Sequence, residues 1–297
     1  MPAFRIRLFL QLCLAAALAL DAPALANAQA NPLASLDSYI ERAMQAWRIP
    51  GLALAVVKDG RVVTAKGYGV REAGRPEPVT ANTLFAIGSA TKAFSVTLAG
   101  ILADRGALDL DARATRYLPT FELADPYLTR EVTLRDLMTH RTGVSGGDLL
   151  WASGALSRDE IVRRIRYIPP TWGLRAKFDY SNIMFIAAGE AIAAAGGASL
   201  DTLLRREILT PLGMNATTTS VRALPTGGDV ATPHDPQPNG SLPIAWRNMD
   251  NTLAGGGINS NATEMARWLQ FQLAKGAIDG KRLVSEKFIE ATRTPET

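Results

Sequence analysis

The stretch Phe85-Ala-Ile-Gly-Ser-Ala-Thr-Lys92 marks the point where an extended segment gives way to a helix. Residues 83–87 are mainly apolar or β-branched, which favours an extended run. Gly106 suits the end of a helix that starts near Ser89. The apolar residues of this helix recur at helical spacing on one face: Phe94, Leu98, Ile101 and Leu102. The pattern therefore predicts a serine and a lysine, Ser89 and Lys92, in the first turn of a core helix.

Ser89 and Lys92 can perform nucleophilic catalysis at this position. Residues three apart share a helix face, so the Lys92 amine is expected to reach the Ser89 hydroxyl. Serine is a weak nucleophile until a base takes its proton. The helix N-terminus adds positive potential and free backbone N–H groups for a developing oxyanion, and the same potential disfavours the protonated form of Lys92. The pair therefore predicts acyl transfer with Lys92 as the base.

A Ser-x-x-Lys string also arises by chance, with the serine as a helix N-cap and the lysine in solvent. A second element favours the catalytic interpretation, because Phe178-Asp-Tyr-Ser-Asn182 opens another predicted helix. Tyr180 is expected to share or relay the proton of Ser89. The Asn182 amide is expected to hydrogen-bond both Lys92 and a substrate carbonyl. A tyrosine before a helix often serves packing alone, so the two elements argue for catalysis only together.

Residues 1–30 are predicted to form a secretory signal peptide. Arg5 and Arg7 precede an apolar run from Leu8 to Leu20, and small residues suited to cleavage follow. The run is shorter than the roughly 20 residues that cross a bilayer as a helix. We therefore expect cleavage among residues 26–30, no stable membrane span afterwards, and a periplasmic or secreted product.

Composition excludes several classes of chemistry. The only cysteine, Cys13, lies in the predicted signal peptide, so the mature chain has no thiol for a disulfide, a nucleophile or a metal. Two histidines far apart give a metal too few ligands. The formal net charge of +4 over 297 residues involves no long run of like charge, which is typical of a solvated surface. No cofactor and no nucleic-acid partner are expected.

One β-hairpin is predicted near the N-terminus, because the extended runs Gly51–Val57 and Arg61–Ala65 flank an Asp-Gly turn. A helix is expected before it, over residues 33–47. Residues 224–248 are rich in Pro, Gly, Asp and Asn and are expected to be an irregular loop, and no further sheet is expected. Capping residues followed by a carboxylate three positions on predict helix starts at Thr133, Ser157 and Asn261. Further helices are predicted over residues 181–195, 200–208 and 285–291.

In this order and spacing, the elements resemble class C β-lactamases, D,D-peptidases and family VIII esterases, a group of serine hydrolases. The likeness runs through these segments: Phe85–Lys92, Leu137-Met-Thr-His-Arg-Thr-Gly143, Tyr180-Ser-Asn182, Pro211-Leu-Gly-Met214 and Asp250–Trp268. It implies an α/β (α+β) fold over residues 31–297, with an antiparallel sheet flanked by helices and a mostly helical subdomain. It also implies Ser89 as nucleophile, Lys92 and Tyr180 as proton carriers, and Asn182 as a substrate contact. His140 is expected to fix a turn near the site by hydrogen bonding.

The same family carries a third motif, Lys-Thr-Gly or His-x-Gly, on a strand near the end of the domain. Nothing after Trp268 matches it, since Lys275-Gly276 and residues 279–282 lack the spacing and are expected to be turns between helices. The resemblance therefore implies a domain that is incomplete at its C-terminus.

The expected reaction is attack by Ser89 on an ester, amide or β-lactam carbonyl of a small molecule or peptide, followed by hydrolysis of the acyl-enzyme. The sequence does not choose among β-lactamase, esterase, D,D-peptidase and D-aminopeptidase. A different class of function stays open, in which the same fold binds penicillin or peptidoglycan peptides without catalysis or acts as a sensor. The absent third motif favours this alternative.

Ser145 is a second candidate nucleophile, because Gly143-Val-Ser-Gly-Gly147 fits the G-x-S-x-G pattern of α/β-hydrolases. That elbow needs a strand before the serine and a helix directly after it. Residues 134–139 are predicted to be helical instead, and residues 146–148 to be a loop. A triad would have to use His234. Ser89 is therefore the preferred nucleophile.

Overall fold

The structure, a computed structural model, describes residue 33 and residues 35–296. The predicted signal peptide and its cleavage sites lie outside the described residues. The described residues up to Ala46 belong to one unit and those from Trp47 onward belong to a second. Helix α1 (Leu36–Trp47) makes up most of what is described of the first unit, and it starts three residues later than predicted.

The second unit combines short helices with four two-stranded antiparallel sheets among the described residues. Its strands are β1 (Gly51–Lys58), β2 (Arg61–Gly69), β3 (Phe85–Ala86), β4 (His234–Gln237), β5 (Gly240–Pro243), β6 (Asn259–Ser260), β7 (Ala277–Ile278) and β8 (Lys281–Arg282). Its helices are α2 (Thr91–Asp104), α3 (Pro126–Glu131), α4 (Leu134–Met138), α5 (Leu149–Ala152), α6 (Arg158–Arg164), α7 (Asn182–Gly196), α8 (Leu200–Leu204), α9 (Leu253–Gly256), α10 (Ala262–Leu273) and α11 (Glu286–Ala291).

Helices α2 and α7 form the centre of the core. Most of their residues are buried and both are apolar on nearly every side, which is the pattern of a helix packed all round. Helix α10 lies against the β1–β2 hairpin, and its Trp268 ring stacks on Phe94 of α2 with centroids 3.8 Å apart. No single described helix is long and apolar enough to cross a membrane, although α7 and the bent segment after it pass that test as a pair.

The predicted N-terminal hairpin is present and longer than expected. Strands β1 and β2 pair from Gly51 with Gly69 to Lys58 with Arg61. Asp59 and Gly60 both have positive φ, at 51° and 73°. This is the backbone of the two-residue turn that matches the twist of paired strands.

The expectation of no further sheet is wrong. Strands β4 and β5 form a hairpin inside the segment 224–248, and β7 and β8 form another where turns between helices were expected. Strands β3 and β6 pair over two residues each. Strands this short do not show a detectable alternation of apolar and polar residues. The sequence of β4 is His-Asp-Pro-Gln, which contains no residue type that is enriched in strands. The sequence signal for the β7–β8 hairpin is the Asp279-Gly280 dipeptide, and both of its residues have positive φ in the structure.

The predicted N-caps are confirmed. Thr133, Ser157 and Asn261 each accept a hydrogen bond from the backbone N–H three residues on. Of these three helix starts, only α4 has the complete capping box, in which the Asp136 carboxylate accepts a hydrogen bond from the Thr133 backbone N–H. The Glu264 carboxylate instead accepts from the backbone N–H groups of residues 216 and 217. The predicted helix over 200–208 ends as an α-helix at Leu204 and continues as a π-helical turn.

The Asp136 carboxylate is fully buried and joins three segments of the chain. It accepts hydrogen bonds from Thr133 at the start of α4, from Arg141 after that helix, and from Arg175 in the loop before α7. Burial raises the pKa of Asp136, but the bonds from Arg175, Thr133 and Arg141 outweigh it and hold the pKa below its usual value. This cluster holds the two loops that reach the first residues of α7.

We expect Asp136→Ala to lower the free energy of unfolding by about 3–5 kcal/mol, because it leaves two arginines without their buried partner. Thr133→Ala, which removes the helix cap and keeps both ion pairs, should cost about 1 kcal/mol. Urea unfolding at pH 7 measures both. Since the pKa is depressed in the folded state, the Asp136 contribution should disappear as pH falls through that folded pKa. Equal losses in the two variants would contradict this account.

Candidate active site

Ser89 lies in a single 3₁₀ turn, Gly88–Ala90, between strand β3 and helix α2. Pairing of β3 with β6 fixes the direction in which the chain enters this turn. Ala90, not Ser89, is the N-cap residue of α2, and no side chain caps the helix. The structure therefore excludes the alternative that Ser89 serves only as the N-cap of this helix. The turn puts the Ser89 amide where backbone N–H groups have no partner within the helix.

The Ser89 hydroxyl lies between two groups that can exchange a proton with it. Its Oγ is 2.6 Å from Tyr180 Oη and 3.2 Å from Lys92 Nζ. Tyr180 is 91 residues further along the chain and directly precedes the N-cap of α7. The structure thus brings together the two motifs, residues 85–92 and residues 178–182, on which the predicted site depends.

Lys92 is buried, with 8% of its surface exposed, so the alternative of a solvated lysine is excluded. Its Nζ donates to Ser89 Oγ, to Asn182 Oδ1 at 2.9 Å and to the carbonyl of Gly255 at 2.8 Å. These three acceptors match the three N–H bonds of an ammonium group. Burial lowers the pKa of Lys92, and the interaction with the Tyr180 hydroxyl together with the negative charge of Asp148 offsets only part of this effect.

The arrangement of acceptors also suits the neutral amine. Asn182 Oδ1 and the Gly255 carbonyl oxygen can only accept hydrogen bonds. A neutral Lys92 keeps two N–H bonds for these oxygens and directs its lone pair at the remaining neighbour, Ser89 Oγ. The site can therefore hold Lys92 in the form that takes a proton from Ser89.

His140 holds the segment that carries Tyr180. Its carbonyl accepts from the Asp179 N–H at 2.7 Å, and its Nδ1 accepts from the Ser181 N–H at 3.1 Å. Its ring lies 4.4 Å from the Tyr180 ring, centroid to centroid. Burial, with a smaller contribution from the charge of Lys92, lowers the pKa of His140 to about 4. His140 is therefore neutral at pH 7 and fixes this turn, as the sequence analysis expected.

Asp148 is a site residue that the sequence analysis missed. Its Oδ1 accepts from Asn182 Nδ2 at 3.3 Å and from the Trp151 indole at 2.7 Å. The first bond orients the Asn182 amide so that its oxygen faces Lys92. No sequence pattern connects Asp148, in a loop, with Asn182, which lies 34 positions further on in a helix. The Gly255 carbonyl was missed for a related reason, because a backbone acceptor has no sequence signature.

The competing arrangements are not assembled among the described residues. Ser145 Oγ is 3.2 Å from Thr171 Oγ1, and helix α4 rather than a strand comes before it. His234 Nε2 accepts from the Ala73 N–H, and Ser145 Oγ is bonded to Thr171 rather than to His234. No group of three or more His, Cys, Asp or Glu side chains in residues 35–296 could hold a metal ion.

Comparison with known proteins decides the family. A family model described as Beta-lactamase matches residues 36–297. The chain belongs to the β-lactamase family. It is 30% identical over 267 residues to the unguisins hydrolase ungD of Aspergillus violaceofuscus, covering 82% of this chain and 46% of that protein. The chain therefore spans about half the length of this relative.

Two solved structures confirm the predicted β-lactamase/transpeptidase-like α/β fold. The octameric penicillin-binding protein homologue from Pyrococcus abyssi superposes with a TM-score of 0.78 at 26% identity, covering 89% of this chain and 60% of that one. A class C β-lactamase from Rhodobacter sphaeroides gives a TM-score of 0.71 at 28% identity, over 87% of this chain and 70% of its own. The family recognised from the motifs is thus confirmed.

We expect Asp148→Asn to lower the pKa of Lys92 further, because the substitution removes a nearby negative charge that stabilises the ammonium form. The measurement is the pH dependence of the Lys92 ¹⁵Nζ chemical shift in protein labelled at lysine, assigned by its loss in Lys92→Met. His140 does not complicate the titration above pH 5, since its pKa is about 4. Asp159→Asn, a charge removal at an exposed position of helix α6, is the control and should leave the Lys92 pKa unchanged. An unchanged or raised pKa in Asp148→Asn would contradict the assignment.

Proposed function

We propose that this chain is a serine hydrolase that forms an acyl-enzyme on Ser89 with an ester, amide or β-lactam substrate. The observation that carries the proposal is the position of Ser89 Oγ, 2.6 Å from Tyr180 Oη and 3.2 Å from a buried Lys92 amine. Packing alone does not account for Ser89 and Tyr180, since Tyr180 is 43% exposed and the Ser89 side chain does not cap helix α2.

In the proposed reaction, Ser89 Oγ attacks the carbonyl carbon while its proton passes to neutral Lys92, directly or through Tyr180. The positive potential at the start of α2 stabilises the negative charge that develops on the carbonyl oxygen. The proton then moves to the leaving oxygen or nitrogen as the bond to the carbonyl carbon breaks. Water repeats the sequence on the acyl-enzyme and frees Ser89. Asn182 keeps the lysine in place and offers its amide to the substrate.

The names of the relatives support hydrolysis of a carbonyl bond and leave the substrate open. One is a hydrolase of unguisins and another is a class C β-lactamase. Because the chain spans about half of the first relative, the activity of the whole protein is part of the proposal. The apolar run from Leu8 to Leu20 after Arg5 and Arg7 supports export, so we place the reaction in the periplasm or outside the cell.

We expect Ser89→Ala to abolish hydrolysis and Ser145→Ala to keep most of it, because only Ser89 has a base within reach. Lys92→Ala and Tyr180→Phe should each lower kcat by about 10²-fold or more, the scale of general acid–base catalysis. Nitrocefin, p-nitrophenyl acetate and a D-Ala-D-Ala peptide provide the assays, and circular dichroism melting checks the fold of each variant.

The matched serine variants make the outcome unambiguous. Loss of activity in Ser145→Ala with retention in Ser89→Ala would reverse the assignment. Binding of a substrate without turnover, unchanged in Lys92→Ala, would favour the alternative of a non-catalytic binding or sensor protein.

A further inference from the structure

Phe185 places an aromatic ring beside the amine of Lys92. It lies on helix α7 three residues after Asn182, and residues three apart share a helix face. This face carries both the amide that accepts a hydrogen bond from Lys92 and a ring whose centroid is 5.1 Å from Lys92 Nζ. The distance is within the roughly 6 Å at which the face of an aromatic ring attracts a cation. Helix α7 therefore offers Lys92 an aromatic partner as well as an acceptor.

The surroundings of Phe185 differ from those of an ordinary core residue. Its side chain is buried, yet it is not part of the continuous apolar cluster to which its helix neighbours Met184 and Ile186 belong. The Phe185 ring lies against the His140 ring, with centroids 5.1 Å apart, and against the Lys92 amine. Packing in the apolar core therefore does not explain why an aromatic residue stands here.

Burial makes the attraction between the Phe185 ring and an ammonium group strong. A cation over an aromatic face is held more tightly when water is excluded, and both Phe185 and Lys92 are buried. The Tyr180 ring is also close, 4.7 Å from Lys92 Nζ, but it is exposed, so water weakens its effect. His140 is neutral at pH 7 and brings no second cation to the Phe185 ring. Phe185 thus opposes the effect of burial, which disfavours the charged amine.

We propose that Phe185 is a positioning residue that stabilises the ammonium form of Lys92, the form that the amine takes when it receives the proton of Ser89. This rests on the proposed acyl-enzyme reaction. In that step the O–H bond of Ser89 breaks, an oxygen electron pair forms the bond to the carbonyl carbon, and the proton binds to the lone pair of Lys92 Nζ. The positive charge develops over the face of the Phe185 ring. The ring therefore lowers the energy of the transition state through Lys92.

Graded fluorination of Phe185 tests the ring while almost keeping its shape. Mono-, di- and trifluorinated phenylalanine, placed at position 185 of the full chain by nonsense suppression, withdraw electron density from the ring face step by step. The pKa of Lys92, followed by its ¹⁵Nζ chemical shift, should fall with each fluorine, because the ammonium form loses stabilisation. The same series at Phe271, which is buried against the Trp268 ring, is the control and should leave this pKa unchanged.

Fluorination is preferred to Phe185→Leu, which would leave a cavity beside the amine. It also leaves unchanged the ionisable groups that face Lys92 among the described residues, Tyr180, Asp148 and His140. A shift in the Lys92 titration along the series therefore reports on the ring itself.

The pH dependence of kcat/KM for p-nitrophenyl acetate tests the same contact during turnover. With Lys92 as the base, kcat/KM rises with pH as Lys92 loses its proton. Trifluorination of Phe185 should move this rise to lower pH and lower the plateau by about threefold to tenfold, since a less basic amine takes the proton less readily. The two profiles should cross, with the fluorinated protein faster below the rise and slower above it. A merely structural effect would lower the rate at every pH.

The two readouts separate this inference from the proposed hydrolase. If nitrocefin, the ester and the D-Ala-D-Ala peptide all remain intact while the Lys92 pKa falls along the series, the ring stabilises the ammonium form and the proposed hydrolase fails. If hydrolysis depends on Ser89 but fluorination of Phe185 changes neither the Lys92 pKa nor the pH profile, Phe185 only fills space and the inference is overturned.

Discussion

The buried amine of Lys92 needs three hydrogen-bond acceptors, and three separate parts of the chain supply them. Ser89 belongs to the turn before α2, Asn182 is the first residue of α7, and Gly255 lies in α9, 163 residues from Lys92. An amine that leaves water without such partners costs several kcal/mol. The three helices are therefore held in one arrangement by a polar contact inside an otherwise apolar core. The same contact creates the reactive group, because burial lowers the pKa of Lys92.

A second layer of polar residues fixes the groups that touch Lys92 and Ser89. Asp148 orients the Asn182 amide, and His140 holds both neighbours of Tyr180 through one carbonyl and one ring nitrogen. Asp136 in turn ties the loops around His140 to α4 through its two arginines. Supporting shells of this kind decide whether a nucleophile and its base stay within hydrogen-bond reach. Fold stability and the geometry of the site are thus linked through the same few contacts.

The sequence predicted those parts that follow from local rules. Helix caps at Thr133, Ser157 and Asn261 and the Asp59-Gly60 hairpin depend on neighbouring residues alone, and all are present. Ser89, Lys92, Tyr180 and Asn182 were predicted to act together because two motifs are recognisable in combination, and the structure brings the four side chains within hydrogen-bond reach. Asp148 and the Gly255 carbonyl were not predicted, since both depend on contacts between distant segments. The short strands β4–β8 were not predicted, because strands of two to four residues show no alternation of apolar and polar side chains.

The central claim is that Ser89 is the nucleophile, and covalent labelling tests it most directly. A fluorophosphonate probe reacts only with an activated serine, and trypsin releases Ser89 in residues 72–92, where it is the one serine, and Ser145 in residues 142–158. The account predicts one adduct per chain, on the peptide 72–92 by mass spectrometry, that is lost in Ser89→Ala. The rate of labelling, measured on the whole protein, should fall in Lys92→Ala. An adduct on the peptide 142–158, or labelling that survives Ser89→Ala, would contradict it.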